Sequence, residues 1–109
     1  MENRLANFIQ AYLEHLKTDY AKWQNTYKGL SDTISLEVND KMIAEFNAGL
    51  HYKVCQKYIK VIATNSVHSF IDADGFIWKP ASWKGPTKNF HRGNVNEPLT
   101  YANHRWNGL

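Results

Sequence analysis

The chain of 109 residues has one cysteine, three prolines and no stretch approaching the roughly 20 apolar residues of a membrane span. A single thiol, Cys55, rules out an internal disulfide, so packing must hold the fold, as suits a reducing compartment. No N-terminal apolar run reads as a signal peptide, and the expected location is therefore the cytoplasm, away from any membrane. The sequence also lacks CxxC, HExxH, GxSxG and the glycine-rich phosphate loops of nucleotide enzymes. His51 and Cys55 are four apart, but in a predicted strand that spacing sets the side chains too far apart to share an ion. Asp72 and Asp74 lack the later carboxylates of a calcium loop. Ser69, Ser82 and His68 have no nucleophile context, and His68 reads as a cross-strand surface residue. The expectation is a protein with no metal, no cofactor and no catalytic residue.

Aromatic side chains are what the chain has in quantity. Four Trp, six Tyr and five Phe exceed what a core of this size can fully bury, which puts some of them on a binding surface. Apolar residues at 43% and charged residues at 21% are ordinary for a globular protein, and the length suits a single domain over 1–109.

Residues 3–28 carry one amphipathic stripe at three-and-four spacing: Leu5, Phe8, Ile9, Tyr12, Leu13, Leu16, Tyr20, Trp23 and Tyr27. Asn3 can cap the start of this helix, Lys22 and Lys28 suit its negative end, and Gly29 can close it. Residues 31–50 fit two patterns. Ile34, Leu36 and Val38 alternate as in a strand, with Asn39-Asp40 as a turn towards Met42, Ile43 and Phe46; Ile34, Val38, Met42, Ile43 and Phe46 also fit a helix capped by Ser31. The β propensity of Thr33, Ile34 and Val38 favours two strands. His51 to Ala63 then reads as one long strand whose face parity needs a bulge near Gln56. Val67, Phe70 and Ile71 lead through an Asp72-Ala73-Asp74-Gly75 turn to Phe76, Ile77 and Trp78, the firmest hairpin in the chain. Pro80 and Pro86 take the chain out of the sheet, and a turn-rich tail follows, with Trp106 as its anchor on the body. The expected class is α+β: a helix over 1–30, an antiparallel sheet within 31–79, and a loop and tail over 80–109.

KYIKV at 57–61, VHSFID at 67–72, KPASWKGP at 79–86 and RGN at 92–94 together resemble a pattern in small uncharacterised proteins of tailed bacteriophages and marine viral sequences. There, a hairpin ends in Lys-x-Ala-Ser-x-Lys-x-Pro before an Arg-Gly/Tyr-Asn segment. The resemblance covers residues 57–94 and implies a phage origin. It carries over no reaction and no catalytic residue.

Charge is uneven along the chain. Residues 1–50 hold five cations and seven acids, whereas residues 51–109 hold eight cations and three acids. Lys79, Lys84, Lys88 and Arg92 follow one another with no acid among them, interleaved with Trp78, Trp83 and Phe90. Cations for a sugar-phosphate backbone and flat apolar faces for bases are what single-stranded nucleic acid needs. A structural reading of the same residues stays open, with Trp78 in the hairpin core and Trp83 folded back under the loop. The other functional class is a protein-interaction module, binding a host protein or a second copy through the helix and exposed aromatics. Tyr20, Trp23 and Tyr27 are its candidate residues, because their stripe can exceed what a small sheet covers.

Overall fold

A computed structural model describes the backbone of residues 2–27, 33–87 and 90–108, and the side chains of all of these except 2–4, 25–27 and 33–39. The capping roles expected of Asn3, Gly29 and Ser31, the placing of Lys28, and the side chain of Tyr27 lie outside the described residues. Within them the chain forms helix α1 (Glu2–Tyr27), helix α2 (Thr33–Gly49), strands β1 (Leu50–Val54), β2 (Ile59–Ala63), β3 (Ser66–Ile71) and β4 (Ile77–Trp78), and a 3-10 turn at Pro98–Tyr101. The class is α+β, as the sequence pattern implies. No helix among the described residues is long and apolar enough to cross a membrane.

The stripe on α1 is buried where periodicity places it, through Leu5, Ile9, Tyr12, Leu13, Leu16 and Tyr20. Phe8 departs from it and is exposed, while Gln24 continues it and is fully buried. Residues 33–49 are a helix and not the expected pair of strands. The stripe on α1 decides this. Tyr20 and Gln24 lie one turn apart; Met42 and Phe46, at the same spacing on a helix, meet them, with the Tyr20 and Phe46 rings stacked at 4.2 Å and the Gln24 amide 3.8 Å from the Met42 sulfur. A strand would send Met42 and Phe46 to positions two pleats apart and lose that match.

The sheet is an antiparallel meander in the order β1-β2-β3-β4. The single strand expected over 51–63 is two strands, reversed by a tight turn in which Cys55 N–H donates to the Tyr58 carbonyl at 2.9 Å. That reversal resolves the parity conflict, so no bulge is needed at Gln56. The bulge sits in β3 instead: Val61 pairs with Ser69 and Ile62 with Val67, which leaves His68 as the extra residue. The surface position expected for His68 is thereby overturned, for the bulge leaves it only 6% exposed.

One face of the sheet presents Ile59, Val61, Ile71 and Ile77 to α1, and the tail closes the core with Val95 and Tyr101. Burying each such aliphatic side chain contributes about 1.5–3 kcal/mol, which makes this face the main source of stability. The opposite face carries a cross-strand row of Lys53, Lys60, Phe70 and Trp78.

The two-residue loop between β2 and β3 places Thr64 at φ 61°, a position that favours glycine. Its N–H donates to the Gly49 carbonyl at 2.8 Å, which ties the loop to the end of α2. Replacing Thr64 by Gly keeps that bond and removes the β-branched strain, so a stability gain of about 0.5–1 kcal/mol is expected. Thermal melting checks this; a lower midpoint for the variant would show that the Thr64 side chain stabilises more than its backbone costs.

The tail is irregular, as expected, but well tied. Asn94 donates its side-chain amide to the Asp74 carbonyl at 3.1 Å, and Val95 N–H reaches the Gly75 carbonyl at 2.9 Å. Trp106 packs edge-on against Tyr20 at 4.8 Å and lies 5.1 Å from Trp23.

Candidate functional site

The segment after β4 is a closed excursion from the sheet. Thr87 N–H donates to the Lys79 carbonyl at 2.7 Å and Ala81 N–H to the Gly85 carbonyl at 3.0 Å, which holds Trp83 and Lys84 at the tip. Pro80 and Pro86 face each other across its neck. The tip turns back over the second face of the sheet, where the Lys60 ammonium lies 4.1 Å from the Trp83 ring centroid and 5.9 Å from that of Phe70. Lys60 is only 8% exposed, and two aromatic rings are what its ammonium meets. Trp83 remains half exposed, so its outer face is open to a ligand while its inner face lies against a cation.

The structure therefore enlarges the expected patch. Lys53 pairs with Lys60 across β1 and β2, which adds two cations from earlier strands to Lys79 and Lys84, both exposed. Linear spacing hides this, since Lys53 and Lys60 precede Trp83 by more than twenty residues; the alternation of KYIKV was the available signal. Trp78 has a different setting: it is half buried, and its indole N–H donates to Asp72 Oδ2 at 3.0 Å. The other Asp72 oxygen accepts the N–H groups of Asp74 and Phe76, so this carboxylate organises the turn and holds Trp78 to it. Phe90 and Arg92 form a second pair, with the guanidinium 4.6 Å from the ring centroid. Arg92 N–H donates to the Ile77 carbonyl, so this pair lines the edge of β4. Lys88 lies outside the described residues. Of the helix residues expected at a partner interface, Tyr20 is buried against Phe46 and Trp106 of the same chain, and Trp23 is half buried with its ring 5.1 Å from that of Trp106.

A family model of unknown function, DUF7717, matches residues 1–108. The chain belongs to DUF7717. No curated protein and no solved structure matches it.

A second constellation of this DUF7717 chain is buried, and no motif announced it. The Tyr12 hydroxyl lies 2.8 Å from His104 Nδ1; His15 Nε2 donates to the His104 carbonyl at 2.9 Å; His68 Nε2 donates to the Arg105 carbonyl at 2.8 Å. Ser69 Oγ is 3.1 Å from His68 Nδ1. Each histidine thus ties the tail to α1 or to β3. With Nε2–H given to a carbonyl, the Nδ1 of neutral His68 accepts from the Ser69 hydroxyl. Burial pushes the Tyr12 phenol well above its ordinary value and lowers both His68 and His104, the latter to about 4. At neutral pH the His68 and His104 rings are therefore uncharged. Ser69 is fully buried, which keeps its hydroxyl from any substrate, and among the described residues no group of three His, Cys, Asp or Glu could hold a metal ion.

Proposed function

We propose that this protein binds single-stranded nucleic acid, without catalysing a reaction, on the surface formed by residues 79–87 and the second face of the sheet. The observation that carries this reading is the Lys60–Trp83 pair: an indole with one open face, a cation 4.1 Å behind it, Lys53 opposite Lys60 on the neighbouring strand and exposed Lys84 next to Trp83 in the chain. A base stacks on the open indole face while phosphates meet the lysines, a combination that tolerates any sequence. The resemblance to tailed-phage proteins supports an accessory role in the cytoplasm of an infected cell. The alternative, a protein-interaction face along Tyr20, Trp23 and Tyr27, draws less support, because packing within the chain already occupies Tyr20 and much of Trp23.

Titrating the intrinsic tryptophan fluorescence with oligothymidylate and oligouridylate tests the proposal. Saturable quenching that weakens as salt rises is the expected result, with Trp83→Ala lowering affinity about tenfold, the value of one stacked base. Lys84→Glu should lower both the affinity and its dependence on salt. Quenching that neither substitution alters would remove the patch from consideration.

A further inference from the structure

Two adjoining cavities of about 290 and 310 Å³, lined by none of residues 79–87, share Phe46, Thr64 and Trp106 as lining. Together they form a cleft between α2 and the β2–β3 loop, near the lower end of the roughly 300–1,000 Å³ typical of small-molecule sites. Tyr20, Phe46 and Trp106 make one aromatic corner of it: Tyr20 stacks on Phe46 at 4.2 Å, and Trp106 stands edge-on to both, at 4.8 and 5.8 Å. Met42 adds a polarisable sulfur beside them, and Glu45 supplies the charged side chain of the lining. We infer that this cleft binds a small organic cation of the methylated-ammonium class.

The chemistry follows from the walls. Ring faces carry partial negative charge, and a carboxylate at the rim adds a full one, so an anion is disfavoured despite the net +3 of the chain. A bare ammonium would have to shed a strong hydration shell to enter, whereas a methylated one presents apolar methyl groups to rings and still keeps its charge. His68 lines the far end and, being held neutral by burial, adds no opposing charge at neutral pH. The Trp106 indole N–H is buried without an acceptor, a deficit that an oxygen on the ligand would satisfy. Thr64, held at a positive φ, lies where the two cavities join, and backbone strain of this kind concentrates at binding sites. The cleft is large enough for a whole small cation, so a free solute is the occupant assigned and not the headgroup of a membrane lipid.

Choline, its uncharged carbon isostere 3,3-dimethyl-1-butanol, and phosphatidylcholine vesicles make the test, read by the shift of the Trp106 indole N–H resonance at constant ionic strength. Choline should shift it saturably, the isostere should bind about tenfold more weakly, and Glu45→Gln should weaken choline several-fold while leaving the melting temperature unchanged. Phe46→Leu should weaken it further by removing one ring. Equal binding of the isostere, indifference to Glu45→Gln, or no saturable shift would overturn the assignment. Binding to the vesicles without binding of free choline would overturn it as well.

Discussion

Lowering the pH from 7 to 5 is expected to destabilise this protein by about 1–2 kcal/mol through His104 alone, with His68 acting in the same direction. Burial, the largest cause in both, lowers each folded-state value below the ordinary 6.5, and neighbouring charges add to it: His15 for both histidines, and His68 and Arg92 for His104. The unfolded chain therefore takes up these protons first. Stability is complete above about pH 6.5 and falls as the pH drops towards 4, where folded His104 itself begins to protonate. At 4–8 °C per kcal/mol for a domain of about this size, the melting temperature should drop by roughly 4–16 °C between pH 7 and 5. The effect should be felt first in the tail, because the two rings hold the carbonyl of Arg105 and the phenol of Tyr12. Thermal melts across this range, with the histidine ring protons followed by NMR, measure it. A flat melting temperature, or folded-state titration of both rings near 6.5, would contradict the account.

Gly93→Ala should be more damaging, costing about 3 kcal/mol. Gly93 has φ 115°, and a Cβ there would stand 2.6 Å from the Thr100 carbonyl oxygen, a backbone atom that cannot swing aside. The carbonyl of Gly93 accepts the Ile77 N–H at 2.8 Å, and Arg92 N–H returns to the Ile77 carbonyl, so a shift at this point unzips the tail from β4. Gly85→Ala is the matched control. A Cβ at Gly85 meets nothing within 4 Å, and the substitution should leave the melting temperature within about 2 °C. A Gly93→Ala protein that melts like the Gly85→Ala protein would show that Thr100 and its turn can move freely.

Much of the fold was legible because local pattern and tertiary role agree. Leu5, Ile9, Tyr12 and Leu16 repeat at helical spacing over about three turns, and no competing pattern covers that stretch. Asp72 and Gly75 carry turn chemistry whose geometry is local, so the last hairpin could be read directly. The weaker points share one cause. Ile34, Leu36 and Val38 alternate for too few residues to outweigh a helical partner, and the match of Met42 and Phe46 to Gln24 and Tyr20 exists only once α1 is in place. Between Val54 and Ile59 two strands abut through a turn that contains neither Gly nor Pro, which made them read as one. The candidate patch was half visible: Trp83 and Lys84 stand out in the sequence, while Lys53 and Lys60 join them only through strand register.

The sequence by itself determined the long amphipathic helix, the α+β class, the last hairpin and the concentration of cations and rings between 78 and 92, because each depends on neighbours within a few positions. The tertiary structure decided the second helix, the burial of His68 at a bulge, the hydrogen-bonded histidines beneath the tail and the corner of Tyr20, Phe46 and Trp106. These depend on contacts that reach as far as 92 positions along the chain, and side-chain periodicity carries no record of which distant residue will close on it.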